Sequence, residues 1–142
     1  MSLFAALQVS ASGLSAQRKR AELLVENMAN SETTRTPEGG PYRRKDVVLT
    51  TDVQASPFSS VFQNELAQGV RVAQVVQDNR EPELRYLPGH PDADAQGYVG
   101  FPRMNPAEEM VDLLGASRSY QGNAVAMSAV KDMINRSIDI LR

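Results

Sequence analysis

The residues of this chain best suited to chemistry sit together in Pro88-Gly-His-Pro-Asp-Ala-Asp94, where the sole histidine, His90, is followed by Asp92 and Asp94. One imidazole and two carboxylates in so short a run form a donor set that calcium or a transition metal accepts. The same run contains two prolines and a glycine. That is turn composition, and acidic side chains in turns bond their own backbone. The turn reading takes precedence, and no metal ligand is assigned. No GxSxG, HExxH, Walker A or GxGxxG pattern occurs, and the absence of cysteine removes thiol nucleophiles, disulfides and thiolate metal sites. Glu108 and Glu109 fall in the first turn of a helix, where the macrodipole favours negative charge without any catalytic need. The chain therefore reads as a non-enzyme with no catalytic residue, cofactor or metal site.

A second polar pair has a different meaning. Asn27 and Asn30 place two amides on one side of a helix exit. They are expected to bond backbone there or on a neighbouring molecule, or else Asn30 stops the helix in a left-handed conformation.

The elements that carry these groups follow from the breakers. All eight prolines lie between Pro37 and Pro106, so residues 1–30 and 106–142 are free of interior proline and read as long helices. In the first, Leu3, Leu7, Leu14, Leu24 and Met28 recur at helical spacings, and Phe4, Ala11, Ala21 and Val25 widen the stripe. Gly13 and three serines weaken it, the glycine by roughly 1 kcal/mol, so this helix is expected to order when packed. The cluster Arg18, Lys19 and Arg20 reads as a solvated face.

The second helix opens with a strong start signal. Asn105 caps, Pro106 presets the first turn, and Glu108 stands three after the cap. Leu113, Tyr120, Met127, Ile134 and Leu141 then fall at intervals of seven, partnered three residues earlier by Met110, Ser117, Ala124, Lys131 and Ile138. The two helices would run about 45 and 55 Å. The expected fold is mainly α with a small β region: a coiled-coil-like, elongated pair of terminal helices and a β-containing middle at residues 31–105. Within that middle, residues 46–51 and 70–77 read as strands, with shorter ones at 84–87 and 97–101, and residues 54–68 as a long loop.

Composition sets limits on partners. The net charge of -2 divides as +1 for residues 1–30, -2 for 31–105 and -1 for 106–142, which lacks the basic excess of a nucleic-acid footprint. The N-terminus lacks the charged start and unbroken apolar core of a secretory signal, and no run reaches the roughly 20 apolar residues of a membrane span. Apolar flanks on two long helices favour packing against other copies.

The segment Asn27-Met-Ala-Asn-Ser-Glu-Thr-Thr34 resembles the N-x-A-N-x-x-T motif of the flagella basal body rod protein family, carried here by Asn27, Ala29, Asn30 and Thr33. Its long continuation, Arg35-Thr-Pro-Glu-Gly-Gly-Pro-Tyr-Arg-Arg-Lys45, is similar to the proximal-rod type. The blocks at residues 88–94, 97–99, 105–111 and 117–121 agree with it. Gly115 and Gly122 depart from the better helix formers usual in that helix. The resemblance implies a structural subunit of the periplasmic rod, a self-assembling drive shaft exported without a cleaved signal through the flagellar type III apparatus. It implies subunit packing by the two stripes named above, and as neighbours the chain itself, the rod proteins FlgB and FlgF, the FliE adaptor and, transiently, a rod-cap protein. Another flagellar rod or hook protein, or a coiled-coil adaptor holding a ligand in its β middle, are the alternatives.

Overall fold

The computed structural model describes residues 3–52 and 69–140. The loop expected at 54–68 and the seam position Leu141 lie outside them. Helix α1 spans Leu3–Ala29, strands β1 to β4 span Lys45–Thr51, Val70–Gln77, Glu83–Tyr86 and Tyr98–Phe101, and helix α2 spans Pro106–Ile140. The fold is mainly α with a small β region. Helix α2 begins where its cap was expected: Asn105 Oδ1 accepts the Ala107 N–H at 3.0 Å, and the Asn105 amide reaches Glu108 at 3.4 Å.

The two helices form an antiparallel pair whose register is fixed at two places. The Asn27 amide donates to Glu109 Oε2 at 3.0 Å, and the Asn123 amide lies 2.7 Å from where a Gly13 Cβ would stand. Fourteen positions separate Gly13 from Asn27, and fourteen separate Glu109 from Asn123, so two heptads of each helix lie between the contacts. The same alignment sets Leu23 opposite Leu113 and Ala16 opposite Tyr120. At Gly13 and Ala16 the α1 side is small, and the backbones approach closely there.

That closeness corrects the expected seams. Along α2 the column beside Leu113, Met127 and Ile134 is Glu109, Ala116, Asn123 and Val130, four residues before each heptad position and not three. Met110, Ser117, Ala124, Lys131 and Ile138 are exposed, and Tyr120 sits at the border. On α1 the buried positions are Ala16, Leu23, Leu24 and Asn27. Of the leucine stripe only Leu24 is buried; Leu7, Leu14 and Met28 are half-buried, and Leu3, Phe4, Ala11 and Val25 are exposed. Three and four residues straddle one 3.6-residue turn, so spacing leaves both columns open. The partner decides, and Gly13 with Ala16 admits the closer one.

Strands β1 and β2 pair antiparallel with an irregularity between Val48 and Leu49, and the ribbon lies along α1. It is pinned at both ends. Asn27 holds Lys45, and Ser12 Oγ accepts the Val70 N–H at 3.0 Å while donating to the Val9 carbonyl. Seven strand residues cover about 23 Å, as do the fifteen helical steps between those pins. Gly69 passes so near Ser12 that a Cβ would stand 2.7 Å from the hydroxyl. Strands β3 and β4 form a second antiparallel ribbon, with Val99 buried and the Tyr86 and Tyr98 rings edge to face at 5.4 Å.

The glycines of the pair separate propensity from packing. Gly115 and Gly122 have open space where a side chain would begin. Alanine at either should stabilise the chain by about 0.5–1 kcal/mol, whereas Gly13→Ala should give no such gain because it displaces the Asn123 amide. Thermal unfolding followed by circular dichroism checks all three.

Candidate functional site

The least accessible side chain among the described residues is polar. Asn27 is 0% exposed and Glu109 2%. Asn27 leaves α1 in its last turn, facing the first turn of α2 and the start of β1. Its Nδ2 donates to the Lys45 carbonyl at 2.8 Å and to Glu109 at 3.0 Å, while its Oδ1 accepts the Lys45 N–H at 2.9 Å and the Tyr42 hydroxyl at 3.0 Å. Both donors and both acceptor positions of the amide are used. The second Glu109 oxygen accepts from Arg44 Nε, and Lys45 Nζ pairs with Glu26. One amide thus joins both helices to the ribbon.

The surrounding charges respond to burial. Desolvation, reinforced by Glu26 and then Glu109, pushes the Tyr42 phenol up to about 12 from its ordinary 10. Burial pulls the Arg44 guanidinium down, but the carboxylates of Glu109 and then Asp46 together more than offset this and leave it above its usual value. The arrangement supplies neither an exposed nucleophile nor a proton relay. Its chemistry is fastening.

The other motif residues divide between fastening and surface. Asn30 bonds the helix exit, its amide reaching the Glu26 carbonyl at 2.9 Å, and Thr33 Oγ1 donates to Asn30 Oδ1 at 3.2 Å. No non-glycine residue among those described has positive φ, so the left-handed alternative for Asn30 does not hold. Ala29 is exposed. The turn around His90 behaves as a turn: His90 Nδ1 accepts the Asp92 N–H at 3.1 Å, and Asp94 Oδ1 accepts from Gln96 and Tyr98, each at 2.8 Å. The Asp92 side chain reaches outward, to the Thr34 hydroxyl at 2.7 Å and Arg35 at 2.8 Å, joining two of the sequence blocks. Among the described residues no group of three His, Cys, Asp or Glu side chains is placed to hold a metal, and no helix is long and apolar enough to cross a membrane.

Sequence reasoning missed two sets of residues. Tyr42 and Arg44 were not singled out, and Glu109 was given only a helix-dipole role, although it stands four before Leu113 and hence on the seam face. The second set is an exposed apolar row on α2, nearly opposite the seam: Val111, Leu114, Val125, Met133 and Ile140. A helix apolar on two faces belongs inside a larger body. On α1, Phe4 is 75% exposed and Val25 52%.

A family model described as "Flagellar basal body rod FlgEFG protein C-terminal" matches residues 95–140. Over whole chains, the protein is 40% identical to the flagellar basal-body rod protein FlgC of Bacillus subtilis, covering 99% of each. It is 39% identical to that of Borreliella burgdorferi, over 100% of this chain and 99% of the relative, and 37% to that of Salmonella typhimurium, over 99% and 98%.

Two outcomes follow from the clasp. Asn27→Ala strands a buried carboxylate oxygen and two strand backbone groups, and should cost about 3 kcal/mol in denaturant unfolding, against about 1 kcal/mol for Asn30→Ala. Because the Tyr42 pKa is raised in the folded chain, its contribution is fully present below pH 10 and is lost as pH rises toward about 12. Alkaline unfolding should show this loss, and Tyr42→Phe should flatten it.

Proposed function

The chain belongs to the FlgC family of flagellar basal-body rod proteins and is a structural subunit of that rod, and from this premise we propose how its geometry serves assembly. The terminal helices, residues 1–30 and 106–142, form the inner wall of the rod around the export channel, and the middle, residues 31–105, lies outside them. Copies polymerise through these helices into a periplasm-spanning shaft that transmits torque. The subunit is non-catalytic.

One observation carries this reading: the helix pair leaves an apolar row uncovered on each arm, with Leu3, Phe4 and Val25 on α1 and Val111, Leu114, Val125, Met133 and Ile140 on α2. Rows of this kind mark interaction surfaces. The two rows differ, so covering one row of a copy with the other row of the next gives a head-to-tail contact. Contacts of that kind build open helical assemblies when the rotation does not close. The expected packing positions Leu7, Ala11, Leu14 and Met28 continue the α1 row, whereas on α2 Met110 and Ala124 fall between the exposed row and the seam, and Tyr120 and Ile138 nearer the seam. Neighbours follow from family resemblance: the chain itself, the rod proteins FlgB and FlgF, the FliE adaptor at the membrane ring, and transiently the rod-cap protein. Export proceeds without a cleaved signal through the flagellar type III apparatus.

Charge on the uncovered rows tests the reading without touching the seam. Val25→Asp and Leu114→Asp should each change the stability of the purified chain by less than about 0.5 kcal/mol. Cells carrying either variant should lose motility and yield basal bodies without rods. Normal rods in the double variant would overturn the assignment.

A further inference from the structure

The seam between α1 and α2 repeats every seven residues, so its apolar contacts alone admit more than one alignment. Sliding α2 by one heptad sets Ala116 opposite Gly13, Leu113 opposite Ala16 and Tyr120 opposite Val9, again with small residues on one side. It also sets Glu109 opposite Arg20. Arg20 is half-buried on this face, one heptad before Asn27. Arg18 and Lys19 share Glu22, whereas Arg20 pairs with no carboxylate among the described residues. A rival partner for the buried acid therefore stands two helical turns away.

The observed alignment prevails through polar groups. Glu109 takes hydrogen bonds from Asn27 and Arg44, and Asn123 occupies the space over Gly13. In the slipped alignment Asn27 would face position 102, ahead of the start of α2, and its Nδ2 would lose the carboxylate. We propose that the Asn27–Glu109 contact is a register selector, which holds the helix pair in one of two alignments that the apolar seam permits. A heptad slip moves the exposed row of α2 by about 10 Å relative to α1. If the rod reading above is right, such a subunit no longer matches its neighbours.

The chain has no cysteine, so introduced pairs report alignment without background. Val9→Cys with Met127→Cys reports the observed register, and Val9→Cys with Tyr120→Cys the slipped one. Positions one heptad out of line are too far apart to bridge. In the otherwise native full-length chain, mild oxidation should close the first pair at least about tenfold more than the second, a population ratio that one buried hydrogen bond produces. Asn27→Leu should raise closure of the second pair by about tenfold, and adding Arg20→Ala should reverse the rise. Asn27→Gln, whose amide is one methylene too long for the cage, gives the same comparison if Asn27→Leu loses helicity. Closure of the first pair alone in both Asn27 variants would overturn the selector and leave the rod reading standing, because disulfide yield does not depend on assembly.

Discussion

The Asn27 amide, sealed from solvent and bonded on every side, is the constraint on which the rest of the molecule depends. A buried amide is stabilising only when all its partners are present, because each one missing leaves a desolvated group unmatched. Its partners come from two stretches of chain, Tyr42 with Lys45 and Glu109, which it ties to the helix end that carries it. None of these segments can be withdrawn alone. The clasp therefore turns two helices and a ribbon into one cooperative unit at the end where the chain leaves and re-enters the pair.

From that fixed point the seam runs outward on small residues. Gly13 and Ala16 give up side-chain volume on α1, and Ala116 does so on α2, so the backbones come near and little apolar area is buried per turn. The large residues are turned aside as a result. Leucine, phenylalanine and valine on α1, and a whole second row on α2, remain in solvent in the single chain. Close packing inside the subunit and apolar cover from outside are thus two results of one choice of residue size.

Much of this was legible in the sequence. The absence of proline before Pro37 left room for α1, Pro106 and the Asn105 cap placed the start of α2, and alternating valines gave the full extent of β2, because each of these is a local rule. The N-x-A-N motif pointed to Asn27 as a bonding residue, but its partners are 15 to 82 positions away and spacing does not reveal them. Glu109 read as a helix-dipole residue because a first-turn acid has that use everywhere, and only its phase relative to Leu113 hinted at burial. The seam column was taken one residue out of place for a reason intrinsic to the helix, in which neighbouring columns are separated by packing partners and not by period. The row through Val111 and Leu114 was hidden by the heptad itself, since a strong period on one face draws notice from a weaker one behind it.

The arms of the pair are unequal. The exposed apolar row of α1 is Leu3, Phe4 and Val25, and that of α2 is Val111, Leu114, Val125, Met133 and Ile140. Two unlike faces give a single subunit a direction of its own. Any column in which one kind of face covers the other is vectorial, and its two termini differ in chemistry.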